Sequence, residues 1–395
     1  MITVNQQYTY RSVFQRSRWF VVLCLMATSY LSFGQSEQQN HNRQQVIDTR
    51  AWYNAAMPTS NRNPFANIQA LPGQSRFAIT PNNAIALDFK LEMASLSSQN
   101  LSSTQVNSDL ADAAPNSELL IIDGEIYHSE ISLSYGINPR SDISITLPYI
   151  AHTSGFADTA IETWHDWFGL PNGNRNLQPR NALLHEYRVN GESLIAIDRD
   201  TQGIGDLKIR YRRLLNVNAL PRDSNRINSH AIRSELKLDA KLATGNTNEL
   251  NGSGAVNLSA SLGFSQQAVP GLASLSWSGH IGTSWLEQTG LLHEQKKTSV
   301  TFASIAANWH TAKNTAIVLQ IDAHTPLYNS TTRELGRNST QLVIGLNRKI
   351  NQHRQSHSGA YPAAATLLQF YFTEDLSVTT SPDIGFGFAI RTLTR

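Results

Sequence analysis

Arg233-Ser-Glu-Leu-Lys-Leu-Asp-Ala-Lys-Leu242 alternates with a period of two. Ser234, Leu236, Leu238, Ala240 and Leu242 fall on one face, and Arg233, Glu235, Lys237, Asp239 and Lys241 on the other. Successive side chains of an extended chain point to opposite faces, so this period marks a β-strand. Five charges in one row exclude a dry core on that side. The pattern recurs at Ile85–Met93, where Asp88, Lys90 and Glu92 alternate with apolar residues, and at Asp206–Arg212, with Asp206, Lys208 and Arg210 on the charged face.

Working outward, twelve segments read as strands: 84–95, 119–137, 142–151, 205–215, 231–243, 254–264, 273–285, 297–309, 315–324, 338–349, 365–374 and 384–393. The segment 297–309 alternates least, with only Val300 and Phe302 in phase. Connections of uneven length join them. The first, third and fifth (about 95–118, 152–204 and 244–253) are long, whereas Asn138-Pro-Arg-Ser141 and Thr311-Ala-Lys-Asn314 are tight turns. Short turns at one end and long loops at the other are the habit of outer-membrane barrels. The stretches 216–230 and 350–364 depart from it.

Alternation alone does not say which face is inside. A soluble barrel would put its apolar face inward. Roughly eight strands already enclose a small ligand, so a twelve-stranded ring is too wide to fill with Leu and Ile. Charges of both signs side by side suit a wet lumen, and Trp277 and Trp285, on one face at opposite ends of a strand, suit two interfacial belts. The expected fold is all-β: a transmembrane, antiparallel, up-and-down β-barrel of about twelve strands, with one short helix in a long outside loop.

Residues 1–34 read as a signal peptide: Arg11, Arg16 and Arg18 precede the apolar Trp19–Ala27, and Ser32-Phe33-Gly34 supplies the small residues of a cleavage site. The apolar run is short of the roughly 20 residues a spanning helix needs. Removing three arginines and no acid moves the formal net charge from +2 to −1, and takes away Cys24, the one cysteine. That excludes a disulfide scaffold and thiolate metal sites, and gives no argument for nucleic acid. Gln35–Ser60 reads as a polar leader without period. Residues 61–395 form the barrel domain, opened by an irregular lead-in over Asn61–Gly73.

Several phrases occur together: Asn61-Arg-Asn-Pro-Phe65, Asp123-Gly-Glu125, Tyr135-Gly-Ile137, Leu147-Pro-Tyr149, Trp164-His-Asp-Trp-Phe-Gly-Leu-Pro171, Gly203-Ile-Gly-Asp-Leu207 and Glu374-Asp375. In these the chain resembles an uncharacterised, domain-of-unknown-function family of exported Gram-negative proteins taken to be outer-membrane β-barrels. Lys241-Leu-Ala-Thr-Gly245 is similar to the Lys-Leu-Pro-Thr-Gly strand end of aromatic-compound channels, with Ala243 in place of proline. The resemblance implies a barrel in the outer membrane, with lipid and the barrel-assembly machinery as partners; it implies no activity or catalytic residue. The chain ends Leu393-Thr-Arg395 rather than on the aromatic residue common to such barrels.

Chemistry is sparse. Asp158–Phe168 has helical spacing, with Ile161, Trp164, His165 and Phe168 on one face and Leu170-Pro171 beyond its end. Trp164, His165, Trp167 and Phe168 are the candidate gate or lid over the barrel mouth; the same helix packed on the rim is the plainer reading. A hairpin, Leu183–Arg188 with Ser193–Ile197, turns at Asn190-Gly191. Glu162 and His165 are too few for a metal site. Asp123-Gly-Glu125 reads as a bulge in its strand. His128, Glu130 and Ser132 share a strand face, which keeps a lipid hydrolase as an alternative beside a structural or adhesive barrel. No phosphate-loop or dinucleotide fingerprint is present, and no cofactor is expected. The charged faces (Asp88, Lys90, Glu92, Asp206, Lys208, Arg210, Arg233, Glu235, Lys237, Asp239 and Lys241) are the expected lining of a narrow channel for a small solute, apolar solutes included.

Overall fold

The computed structural model describes residues 54–74, 78–100, 118–169, 179–216, 231–312, 314–351, 365–376 and 380–394. The proposed signal peptide, most of the leader, the end of the Trp164–Pro171 phrase and the stretches 217–230 and 352–364 lie outside them.

Among the described residues, fifteen strands form one sheet: β1 (Ile85–Gln99), β2 (Glu118–Asn138), β3 (Ser141–Thr153), β4 (Leu184–Val189), β5 (Glu192–Ile197), β6 (Thr201–Ile204), β7 (Lys208–Leu214), β8 (Ile232–Lys241), β9 (Asn257–Gln266), β10 (Leu275–Leu286), β11 (Ser299–Ala312), β12 (Thr315–His324), β13 (Ser339–Asn351), β14 (Ala365–Asp375) and β15 (Ile384–Thr394). β1 pairs with β15 antiparallel, from Ile85 against Thr394 to Ser95 against Ile384, which closes the ring. β6 and β7 both pair with β3 and make one interrupted stave. β4 and β5 extend β2 beyond the ring. The barrel is therefore a closed, antiparallel ring of twelve staves. Closure matters physically because an open edge would leave backbone N–H and C=O groups unpaired in lipid.

The strands sort their side chains by face. Leu87, Ile131, Leu133, Ile145, Leu147, Ile281, Ile305, Leu319 and Ile344 stand exposed on the outside, while Lys90, Glu92, Glu235, Lys237 and Gln320 are buried inside. A soluble protein rarely leaves so large a contiguous apolar surface uncovered. This is a membrane-spanning barrel. Trp285 and Tyr149 sit outward at one margin of the band, with Trp309 and Tyr135 at the other. From Trp277 to Trp285, about eight residues at roughly 3.3 Å each, shortened by tilt, give about 20 Å of apolar height.

β11 alternates as cleanly as the rest, with Val300, Phe302, Ser304, Ala306 and Asn308 inward and Ile305 and Trp309 outward. Apolar residues on both faces hide the period in the sequence. Asp123-Gly-Glu125 is not a bulge: β2 runs in unbroken register with β1 there, Gly124 opposite Leu96. Its partner on the other side changes instead, from β3 at Glu125 to β4 at Asp123. A side chain at Gly124, where φ is 134°, would strike Leu183 and the Thr153 carbonyl, so the switch requires glycine.

Placing an arginine at Ile305, 57% exposed in the middle of the band, should cost about 2–4 kcal/mol. The variant should lose the heat-modifiable folded band in unboiled electrophoresis that the unmutated barrel gives in lipid; Thr325→Arg, outside the band, should keep it.

Candidate functional site

The lumen is filled by the chain's own residues 54–74 and 78–83. The two termini of the described barrel lie at one end, called here the terminal end; β1 runs from it to the far end. An ascending limb leaves the terminal end at Asn54, whose side chain donates to the Gln267 carbonyl (3.3 Å). Inward-facing amides then hold its backbone. Asn347 and Gln369 donate to the Ala55 and Ala56 carbonyls, and Gln320 both accepts from the Met57 amide (2.9 Å) and donates to its carbonyl. Met57 packs with Ala306, Val318, Val343 and Tyr371 in a small apolar cluster. Gly345 makes room for it, since a Cβ there would lie 2.5 Å from the Met57 methyl. Higher up, Lys90 donates to the Pro58 carbonyl, Thr59 donates to Asp322, and Asn61 reaches Ser339 and the Thr380 carbonyl.

Asn61-Arg-Asn-Pro-Phe65 makes the apex. Asn63 accepts from the Phe65 amide and Pro64 opens a one-turn helix, Pro64–Asn67. Arg62, 5% exposed, donates to Glu92, to Asn67 and to His128 Nδ1. Phe65 enters an apolar cap at the far end with Leu96, Leu120, Ile122, Tyr187, Leu286 and Tyr328. A descending limb follows. Gln74 bonds Ser278 and Ser304, the Thr80 amide donates to Asp142, and Arg212 ties Asp142 to the Ala78 carbonyl. Between the two limbs and β10–β13 a small void remains, lined among others by His280, Phe302, Ser304, Asp322, His324 and Gln341.

The sequence separates leader from barrel at residue 60, whereas the structure has residues 54–60 ordered inside the lumen. The plug escapes sequence reading because it has no period; its only local signal is the Asn-Arg-Asn-Pro-Phe cap. Arg62, Asp322 and the amides Gln320, Asn347 and Gln369 belong to the site and are not among the residues singled out in the sequence.

The charged residues of the alternating faces point inward. Asp88 pairs with Arg391, Lys90 with Glu92 and Glu130, Lys208 with Glu130, Arg210 with Asp239, and Lys237 with Glu235. Arg233 is buried on the same face. Burying a charge costs several kcal/mol unless it is paired, which is why the two signs are interleaved. Asp206 and Lys241 do something different. The Asp206 carboxylate accepts from Lys241 Nζ (2.6 Å) and from the amides of Thr244, Gly245 and Ser253, so it knots the break between β6 and β7 to the Lys241–Gly245 strand end and the 250–255 loop. Gly252 gives the approach, since a Cβ there would lie 2.4 Å from the carboxylate.

The helix Asp158–Phe168 forms as the spacing predicts and stops at Gly169, in the left-handed conformation (φ 65°). It does not cover the mouth. Trp164 packs at a tilt on Phe372 (5.5 Å between ring centres), an outward-facing residue of β14, and His165 lies 3.6 Å from Glu374 on the same outer face. Glu125, also outward, accepts from the amides of Phe156 and Ala157 and so fixes the helix's start. Trp167 and Phe168 remain exposed. The expected lid is thus a buttress on the outside of the wall. Glu162 pairs with Arg180, away from His165, and no cluster of three metal-ligating side chains exists among the described residues. The triad geometry also fails: His128 binds Glu130 and Arg62, whereas Ser132 bonds Thr146 (2.6 Å).

Residues 51–392 match a family described as "Protein of unknown function (DUF3187)". The chain belongs to this family. The likeness seen in its scattered phrases is therefore a family likeness. No curated protein matches the sequence. Among solved structures this DUF3187 member is similar to the COG4313 outer membrane channel from Pseudomonas putida F1 (12% identity, 80% of this chain and 97% of that one, TM-score 0.45). It is also similar to the Ralstonia pickettii toluene transporter TbuX (9% identity, 80% and 90%, TM-score 0.37).

Arg62→Ala should leave the buried Glu92 carboxylate without its arginine and cost about 3–5 kcal/mol of local stability. Residues 54–74 should become open to limited proteolysis while the barrel keeps its heat-modifiable band. A second expectation concerns acid. Above the membrane band, His185 meets His152 edge-on at 5.4 Å within the cap; burial first, and His152 second, push His185 down to about 3. Neutral when folded and charged when unfolded below about 6.5, it contributes stability at neutral pH that is lost as pH falls toward 3. Corrected for the intrinsic pH dependence of exchange, amide protection factors in β4 and β5 should fall between pH 7 and pH 4.5, and less so in His185→Leu.

Proposed function

We propose that this barrel is an outer-membrane channel, exported by the segment 1–34 and inserted by the barrel-assembly machinery, that its own residues 54–74 and 78–83 hold shut. The observation that carries the reading is how the plug is held. The wall grips it by hydrogen bonds to its backbone and side chains, by one buried ion pair among the described residues, Arg62 to Glu92, and by two apolar seats, Met57 and Phe65. Each such bond contributes about 1 kcal/mol net, because water replaces it when it breaks. A plug of this kind is removable.

Once it moves, the charged faces line the path: Asp88, Lys90, Glu92, Lys208, Arg210, Arg233, Glu235, Lys237 and Asp239, with Asp206 and Lys241 at the far rim. Interleaved signs give weak ion selectivity rather than a one-sign filter. The solute is small, and the far-end cap favours an apolar one. Phe65 sits in that cap three residues from Arg62. An apolar molecule entering the cap would compete for the pocket of Phe65 and loosen the pin beside it.

Planar-bilayer recording tests this. The full chain should conduct little, and a chain lacking residues 54–74 should conduct several-fold more with little preference between cations and anions. Thr59→Cys with Asp322→Cys should lock the closed state when oxidised and release it on reduction. No conductance from the shortened, folded barrel would overturn the channel reading, and recovery of the protein in the soluble periplasmic fraction would overturn its location.

A further inference from the structure

The helix Asp158–Phe168 sorts its residues into arcs. At 100° per residue, Trp167, Trp164 and Phe168 fall within about 100° of one another. Ile161 and His165, both buried, follow on the side that meets the wall. Asp158, Glu162 and Asp166 lie beyond, away from the aromatic arc. Contacts orient these arcs. Trp164 packs on Phe372, and Phe372 on Phe386 at 5.5 Å, the latter 55% exposed in the apolar outer band. The aromatic arc is therefore continuous with the membrane-facing surface. The acidic side is tied to the loop instead: Glu162 accepts from Arg180, and Asp158 from the Asn181 amide.

Three aromatic side chains remain uncovered in this arrangement: Trp167 at 76%, Phe156 at 74% and Phe168 at 60% exposure. A helix that only braced the wall would turn them in, or would carry polar residues there. Trp and Phe beside an apolar band, with carboxylates on the opposite side, are the distribution of an element lying in the plane of a lipid–water interface.

The geometry points to this helix as an interfacial anchor: Phe156, Trp167 and Phe168 insert among the lipids of the far-end leaflet, beside the barrel wall. The partner is the lipid surface, contacted through acyl chains just below the headgroups. Glu125 sets the depth from the outer face of β2 by accepting from the amides of Phe156 and Ala157, just before the helix.

The test places a reporter on the arc. Trp167→Cys, in a chain with Cys24→Ser, is labelled with a polarity-sensitive fluorophore and reconstituted in phosphatidylcholine vesicles carrying a nitroxide at a shallow or a deep acyl position. Quenching by the shallow nitroxide should exceed that by the deep one by about twofold, as for a group lying about 5–10 Å into the interface. Ile305→Cys, labelled in mid-band, should give the reverse order and proves insertion of the barrel. A label at 167 that is unquenched and water-like in emission would overturn the anchor. One that is unquenched but apolar in emission would also overturn it, in favour of contact with a second copy. Trp167→Ser with Phe168→Ser should leave conductance unchanged, so this inference and the channel reading fail separately.

Discussion

A closed ring of backbone hydrogen bonds between β1 and β15 is the constraint from which the remaining features follow. Twelve staves must meet with every N–H and C=O paired, because lipid supplies no partner. Meeting that condition sets a diameter too wide for the barrel's own side chains to fill. The lumen must then hold water, a ligand or more chain. Here it holds chain. The inward faces follow from that choice: Gln320, Asn347 and Gln369 are matched to the plug's peptide groups, and Lys90, Glu92 and Glu130 to one another and to Arg62.

The interior therefore differs from both a soluble core and an open pore. A soluble core excludes charge; an open pore solvates it. Here interleaved pairs and amides hold a removable insert, while apolar packing is concentrated in the far-end cap around Phe65 and Tyr328 and in the small cluster around Met57. Apolar contact gives the plug its seat, and polar contact gives it register.

The staves are legible in the sequence because period two survives wherever one face meets lipid and the other meets polar groups. β11 reads poorly since Val300 and Phe302 face inward while Ile305 and Trp309 face outward, so hydropathy does not separate its faces. The plug is illegible for a different reason. Its partners lie from 30 to 319 residues away, and much of its recognition is of backbone, which leaves little trace in side-chain pattern. The helix Asp158–Phe168 is legible as a helix, because Trp164, His165 and Phe168 keep helical spacing, but not its position. Only the parity of Phe372 and Glu374 on β14 decides between mouth and outer wall. Asp206 shows how far a short phrase carries: Gly-Ile-Gly-Asp-Leu announces a special backbone, and the three loops it joins appear only in three dimensions.

Both limbs of the plug, residues 54–74 and 78–83, pass through the same opening. The ascending limb starts at the terminal end beside Gln267, and the descending limb returns there to Asp142 and Gly136 before β1 begins. The insert is a loop pushed into a cup, and neither limb is threaded through the ring. It can leave and re-enter without parting the β1–β15 seam, and the ring can close before the insert arrives. Assembly of the wall and occupation of the lumen are thus topologically independent events, although one polypeptide carries out both.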